Sequence, residues 1–222
     1  MKKIITLLTL TISFNMNAQM DDNSHPSNNS AGTYSVAMGY GTTASGDFST
    51  AMGYSTTASG EISTAMGRDN IASGYASTAM GYQSRASDFG LVAIGQYNSS
   101  GSSVTNNAIS FSTSNTAFVI GNGTVGARSD AFKVMFNGDA TVSNDLTVSG
   151  DVVISSDARL KSNIVSLGST LSKLLQIDGK SYEMKGKQKI GVLAQEIQEV
   201  FPELVSEDDN EMLAVNYQGL VP

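Results

Sequence analysis

The stretch AMGYSTTASGEIST, residues 51–64, is one of five blocks of 14 residues that follow one another between residues 37 and 106. Each block has a glycine at its third position: Gly39, Gly53, Gly67, Gly81 and Gly95. Glycine suits turns that need a positive φ, whereas Ser, Thr and Tyr tolerate or favour strands. Each block therefore predicts two short strands and two turns. Successive blocks would stack about 4.8 Å apart, as coils of a parallel β-solenoid.

Two apolar positions also recur once per block. They are Ala37, Ala51, Ala65, Ala79 and Ala93, with Met38, Met52, Met66, Met80 and Ile94 beside them. We expect both ladders to form the core of the solenoid. Alanine and methionine in so small a coil bury little apolar area against a large ordering cost. Several rods are therefore expected to pack along their length, which predicts an oligomer.

The recurring pattern A-[MI]-G-x(5)-A-S-G resembles the head repeat of trimeric autotransporter adhesins. The resemblance covers residues 37–106. It implies a left-handed parallel β-roll packed as a homotrimer, with a host-surface, matrix or glycan ligand bound through the head. The same repeats leave a minor alternative, an ice-binding β-solenoid, because Thr50, Thr64 and Thr78 form one rank. Val92 and Asn106 interrupt that rank, which favours the adhesin interpretation.

The N-terminus has the pattern of a secretory signal peptide. Lys2 and Lys3 precede an apolar run at 4–14, and Ala18 offers a cleavage point, so residues 1–18 are expected to be removed on export. A cell-surface or extracellular location follows. Residues 19–36 are of low complexity and contain His25, the only histidine. A metal site there is improbable, and no cofactor is expected.

Composition narrows the remaining functions. The 222 residues carry a net charge of −7, no cysteine and 22 glycines. No basic stripe is present, which argues against a nucleic-acid partner. No later stretch is long and apolar enough to be expected to anchor the chain in a membrane. Without disulfides, stability must come from packing, repetition or assembly.

Residues 107–155 lose the 14-residue period and are interpreted as a β-rich neck, intertwined in the trimer. Four short apolar runs predict its strands: 117–121, 131–136, 146–148 and 151–154. Gly and Asn-Gly turns separate them. No catalytic constellation is found in this segment.

Residues 156–222 predict a small α+β domain, so the whole chain is expected to be mainly β. Leucines at helical spacing predict a helix over 167–177, and SYEM with QKIGV predicts a hairpin over 181–192. The amphipathic run at 193–201 predicts a second helix that ends at Pro202. A further strand is predicted over 212–217.

Three segments of this domain resemble the endosialidase-type intramolecular chaperone of phage tail spikes: SDARLKSNI (156–164), IGVLAQEIQEVFPELV (190–205) and LAVNYQGLVP (213–222). The resemblance implies a domain that assembles three chains into a fibre and then cuts itself off. By that resemblance Ser156 and Lys161 are the catalytic dyad, Asp157 supports them, and the Ser155–Ser156 bond is cut. Similar domains run on into a long helix, so we expect this one to be shortened at Pro222.

The residues themselves constrain this chemistry. A serine hydroxyl is a weak nucleophile and needs a base, which a lysine provides if desolvation or nearby positive charge lowers its pKa. Five residues turn about 140° around a helix, so Ser156 and Lys161 do not share a helical face. A turn or a neighbouring chain must bring them together. Two roles stay open for Asp157, orienting Lys161 or capping the following helix, and Arg159 is placed to hold a carboxylate at the trimer interface.

The leading prediction is a secreted trimeric fibre whose C-terminal chaperone releases itself as a single-turnover serine endopeptidase. No multi-turnover activity on an external substrate is expected. The alternative is a phage-spike-like protein that degrades or binds a polysaccharide. Glycoside hydrolysis needs two placed carboxylates. The acids of the repeats are sparse: Asp47, Glu61, Asp69 and Asp88.

Overall fold

The computed structural model describes residues 28–101, 108–207 and 211–220. The chain divides into two compact units, Met1–Asp151 and Val152–Pro222, which are described separately. The expected signal peptide and His25 lie outside the described residues.

The first unit is a parallel β-solenoid of about five turns, as the repeats predict. Short and long strands alternate along its described residues: β1 (Asn29–Ser30), β2 (Val36–Tyr40), β3 (Thr43–Ala44), β4 (Thr50–Tyr54), β5 (Thr57–Ala58), β6 (Thr64–Arg68), β7 (Ile71–Ala72), β8 (Thr78–Tyr82), β9 (Arg85–Ala86) and β10 (Val92–Gln96).

The long strands form one wall of the solenoid and the short strands form the other. Each strand pairs in parallel with the strand one period away, so that Met52 stands beside Met66 and Ala58 beside Ala72. Strand β1 already pairs with β3. The solenoid therefore begins earlier than residue 37, inside the segment that was predicted to be of low complexity.

The interior of the solenoid is made of alanine, serine, threonine and asparagine. The alanines of both walls are fully buried: Ala37, Ala44, Ala51, Ala58, Ala65, Ala72, Ala79, Ala86 and Ala93. The prediction that the methionine ladder shares this core is wrong. Adjacent strand residues point to opposite faces, so a methionine that follows an inward alanine must point outward. Met66 is 38% exposed.

Glycine is required at two sets of positions in the solenoid, for two different structural reasons. Gly39, Gly53 and their equivalents have φ between +89° and +121°, which only glycine adopts readily. Gly46, Gly60 and Gly74 have no positive φ, but a Cβ at any of them would overlap the carbonyl oxygen one coil further on. Close backbone packing, rather than turn geometry, therefore requires this second set.

Several turn positions hold non-glycine residues in the left-handed region. One such position is occupied by Tyr34, Phe48, Ile62, Ala76 and Gly90 in successive coils. A β-branched or bulky residue there is an unusual conformation and carries strain. The last coil avoids this strain with glycine.

Replacing Ala76 with glycine is expected to stabilise the solenoid. Ala76 has φ +52° at the position where Gly90 stands one coil later, and glycine removes a penalty of about 1 kcal/mol or more. Thermal unfolding followed by circular dichroism should show a higher midpoint. Ala140→Gly in an exposed strand is the matched control and should lower it. A lower midpoint for Ala76→Gly would contradict the strain assignment.

The predicted neck partly continues the solenoid. Strand β11 (Thr116–Asn122) adds in parallel to β10, and β12 (Asp130–Met135) and β13 (Ala140–Val142) follow antiparallel. The strands predicted at 117–121 and 131–136 are thus confirmed. Those predicted at 146–148 and 151–154 are wrong for the single chain, because no strand among its described residues pairs with these exposed segments.

The second unit is small and mixed, as predicted. After a 3₁₀ turn (Ala158–Leu160), its described elements are α1 (Leu171–Leu174), β14 (Lys180–Met184), β15 (Lys187–Gly191), α2 (Ala194–Val200), a 3₁₀ turn (Pro202–Leu204), β16 (Val205–Glu207), β17 (Leu213–Val215) and a last 3₁₀ turn (Tyr217–Leu220).

The hairpin, the second helix and the last strand of this unit are confirmed, since β14 pairs with β15 and β17 with β16. The predicted first helix is much shorter than 167–177. Gly168 has φ +68°, which interrupts a helix before Leu171. Ile197 is fully buried and Phe201 is 7% exposed, so the inner face of α2 is the main apolar contact of the unit.

Candidate functional site

The segment SSDARLK brings a serine hydroxyl and a lysine amine together. The Nζ of Lys161 donates a hydrogen bond of 2.7 Å to the Oγ of Ser156. The chain turns between them in the 3₁₀ turn, after which Lys161 returns to extended backbone with φ −119° and ψ 147°. A local turn within one chain therefore closes the distance that a regular helix would not.

The carboxylate of Asp157 serves the turn and not the lysine. Its Oδ1 accepts from the backbone N–H of Arg159 at 2.8 Å, which caps the 3₁₀ turn. The guanidinium of Arg159 also binds both carboxylate oxygens, at 3.0 and 2.7 Å. Hydrogen bonds from the Arg159 side chain and backbone lower the pKa of Asp157, and the Asp157 carboxylate raises the pKa of Arg159.

Two roles were open for Asp157, orienting Lys161 or capping the following helix. In the structure, Asp157 caps the 3₁₀ turn. Arg159, expected to hold a carboxylate at a trimer interface, holds Asp157 of its own chain. This pair fixes the turn that carries Ser156 and Lys161 at its two ends. Asp157 and Arg159 are therefore positioning residues in this arrangement.

Both members of the pair, and Ser155 before them, are exposed in the single chain. The arrangement can deliver a nucleophilic oxygen to the peptide carbonyl on its N-terminal side, with an amine within reach of the hydroxyl proton. Excluding water from such a pair strengthens the electrostatic interaction between its two groups. Here that would require atoms from outside the described residues of this chain to cover Ser156 and Lys161.

Most acidic side chains of the solenoid repeats form hydrogen bonds or ion pairs within the fold. Asp47 accepts a hydrogen bond from the backbone N–H of Thr33 at 2.8 Å, and Asp69 pairs with Arg68 at 3.3 Å. Asp88 is 3% exposed and accepts from the N–H of Thr116 at 3.0 Å. It thus connects the last full coil to β11. Glu61 lies exposed on a turn.

No group of three or more His, Cys, Asp or Glu side chains in the described part of the chain is arranged to hold a metal ion. Among those same residues, no helix has the length and apolar character needed to cross a membrane.

Sequence reasoning passed over one cluster, at the C-terminal end of the solenoid. It contains Arg85, Tyr97, Asn98 and Arg128. The sequence could have indicated this cluster through the rarity of basic residues, since only four occur between residues 28 and 151.

Comparison with known proteins identifies both halves of the chain. Residues 30–56, 44–70, 58–84 and 72–90 match the YadA head domain repeat. Residues 156–206 match the chaperone of endosialidase, a peptidase family. Nothing matches the chain among curated proteins or among solved structures. Head repeats of this adhesin type imply a surface or extracellular protein, and both families suggest a homotrimer. The chain therefore carries YadA-type head repeats followed by an endosialidase-type chaperone domain, a combination that supports an adhesin-like protein.

Proposed function

We propose that this protein is an exported homotrimeric fibre whose C-terminal domain, residues 156–222, assembles three chains and then releases itself by cutting the Ser155–Ser156 bond. The observation that carries the proposal is the hydrogen bond of 2.7 Å between Lys161 Nζ and Ser156 Oγ. In this proposal residues 1–18 are the signal peptide, the head begins with β1 (Asn29–Ser30) and includes the repeats at 37–106, and 107–155 is the neck.

The outward face of the long-strand wall supports assembly. Every second residue of these strands points away from the alanine core and is half-buried or exposed. The face consists of Val36, Met38, Thr50, Met52, Thr64, Met66, Thr78, Met80, Val92 and Ile94. A continuous apolar stripe of this kind on a thin rod is typical of an association surface. We therefore place the trimer contact on this stripe, which we call the methionine face.

A charge on the methionine face is expected to disrupt the trimer. Met66→Glu places a carboxylate in the middle of the face, where association would desolvate it without a partner. Light scattering should show a trimer for the wild type and a monomer for this variant. Thr57→Glu, on the short-strand wall, is the matched control and should remain trimeric. A monomeric wild-type chain, or a trimeric Met66→Glu variant, would contradict the assignment.

The proposed cut balances as an acyl shift followed by hydrolysis. The neutral amine of Lys161 takes the hydroxyl proton as Ser156 Oγ attacks the carbonyl carbon of Ser155. The C–N bond then breaks, and the nitrogen of Ser156 leaves with that proton as a free amine. Water hydrolyses the resulting ester, which yields a carboxylate on Ser155 and restores the hydroxyl of Ser156. The chain reacts once, and no external substrate is consumed.

The chaperone role follows from the problem of folding such a head. Parallel coils and contacts between three chains are non-local, so they form slowly and their register can slip. Holding three C-termini together raises the effective concentration of the heads and aligns them. Removal of the holding domain afterwards makes assembly difficult to reverse.

The proposal is tested by following the wild-type chain from synthesis onward. On a denaturing gel it should separate into fragments of about two thirds and one third of its length, and the smaller fragment should begin at Ser156 by N-terminal sequencing. Light scattering of the same sample should show a trimer. A stable trimer that contains only intact chains would refute the self-cleavage.

A further inference from the structure

Two arginines at the C-terminal end of the solenoid have no acidic partner. Residues 28–151 contain eight acids and four bases, yet Arg85 and Arg128 make no ion pair within the described part of the chain. Arg68, by contrast, is paired with Asp69. Lys133, the fourth base, likewise makes no ion pair within the described part of the chain, but it lies on a different strand, β12.

Asn98, which is fully buried, holds both arginines in place. Its Oδ1 accepts from the backbone N–H of Arg85 at 2.8 Å, and its Nδ2 donates to the carbonyl of Arg85 at 2.8 Å. Arg128 Nη1 donates to the carbonyls of Asn98 and Gln83, at 3.1 and 3.0 Å. The guanidinium of Arg128 is thus fixed, while its Nε and Nη2 have no partner among the described residues.

The two charges are close enough to oppose each other. Arg128 is half-buried, and desolvation, followed by the positive charge of Arg85, lowers its pKa. Two neighbouring cations that are both partly removed from water favour the binding of an anion, because an anion compensates the lost hydration and the repulsion.

A concave surface lies against Arg128, the half-buried member of the pair. An open cavity of about 540 Å³ is lined by Gln83, Tyr97, Val125, Gly126 and Arg128. The ring of Tyr97 lies 5.7 Å from the Arg128 guanidinium and meets Tyr82 edge-on at 84°. A cavity of this size, with an aromatic ring, an amide and a fixed guanidinium, has the groups that orient a sugar ring and its acidic substituent.

We propose that this cavity is a binding site for an acidic saccharide unit, with its carboxylate or sulfate at Arg128 and its ring beside Tyr97, and with the positive charge of Arg85 adding to the attraction. Arg85 belongs to the short-strand wall, and the methionine face lies on the long-strand wall. The net charge of −7 and the isolation of the cluster favour a saccharide over a nucleic acid. The proposal deepens the adhesin-like role by naming a ligand class.

The site is tested by isothermal titration calorimetry on the full chain with five probes: a heparin-derived tetrasaccharide, a trigalacturonate, maltotetraose, sodium sulfate and an oligothymidylate. At least one of the two acidic oligosaccharides should bind, with affinity that falls as salt rises. Arg85→Gln should weaken that binding at least tenfold. No described residue forms a hydrogen bond with the Arg85 side chain, so the fold should persist, as a thermal melt will show. Lys133→Gln removes one positive charge on a different strand, β12, and should change affinity less than twofold.

Three results would overturn the assignment. They are no binding of either acidic oligosaccharide, equally tight binding of maltotetraose or of sulfate alone, and equal weakening by Lys133→Gln and Arg85→Gln. An oligothymidylate that binds as tightly would also refute the saccharide as the ligand. Oligomeric state and cleavage are read separately on the same samples, so a failure of the proposed assembly is distinguishable from a failure of this site.

Discussion

Replacing Gly60 with alanine is expected to prevent the solenoid from forming a cooperative fold. The added Cβ would overlap the carbonyl oxygen of Gly74 and lie 2.7 Å from its carbonyl carbon. Both atoms belong to the backbone of the next coil, so no side chain can move aside. The coils would have to separate, which breaks the bond from the Gly60 N–H to the Ala72 carbonyl. We expect a loss of at least about 3 kcal/mol.

Four glycines of the same unit separate this overlap from backbone strain. Gly60→Ala introduces the overlap alone, because Gly60 has no positive φ. Gly126→Ala introduces strain alone, since φ is +81° and nothing lies within 4 Å. Gly53→Ala combines a φ of +116° with an overlap on the Gly67 carbonyl, whereas Gly150→Ala has neither.

Thermal unfolding followed by circular dichroism orders these variants. Gly150→Ala should melt with the wild type, and Gly126→Ala should lose about 1–3 kcal/mol. Gly60→Ala and Gly53→Ala should show no cooperative transition. A Gly60→Ala variant that melts with the wild type would mean that the coils tolerate separation, and the stacking described above would be incorrect.

The solenoid could be predicted from the sequence because the same pattern of residues recurs in every block. A fixed period of 14 residues places chemically equal side chains in register, and parallel pairing of equal residues follows, as between Ala51 and Ala65. The direction of the methionines was missed because composition suggested that every apolar residue faces inward. Strand alternation places Ala65 and Met66 on opposite faces, and the narrow interior admits only the smaller one.

Segments without a period were predicted less well, for physical reasons that differ. Leu167 and Leu171 have helical spacing, but the left-handed φ of Gly168 between them prevents a continuous helix. Residues 146–148 alternate like a strand, yet a strand forms only where a partner is available, and the single chain offers none. The spacing of apolar residues indicates a local preference for helix or strand. It does not indicate whether another strand is available for pairing.

The candidate dyad came from family resemblance, and its geometry was not deducible from spacing. Five residues along a helix would have separated Ser156 from Lys161. The 3₁₀ turn brings them to hydrogen-bond distance, and Asp157 stabilises that turn through Arg159. An Asx-type cap in the sequence Ser-Asp-x-Arg could have indicated the turn.

Replacing Ser156 with alanine is expected to abolish cleavage while leaving assembly intact. The substitution removes the oxygen that would form the ester and leaves the turn unchanged, because Asp157 and Arg159 maintain it. The rate of chain cutting should fall by more than about a thousandfold. A denaturing gel should show one intact band, and light scattering should still show a trimer. Ser172→Ala, an exposed serine of the same domain, is the matched control and should cut like the wild type.

Lysine variants then separate a proton-accepting role from a merely structural one. Lys161→Arg keeps a cation that can donate to Ser156 Oγ, but an arginine cannot become a neutral base. If Lys161 takes the hydroxyl proton, Lys161→Arg should cut as poorly as Lys161→Ala. If Lys161→Arg instead cuts at the wild-type rate, the lysine only orients the serine. If the Ser156→Ala variant still cuts itself, Ser156 is not the nucleophile.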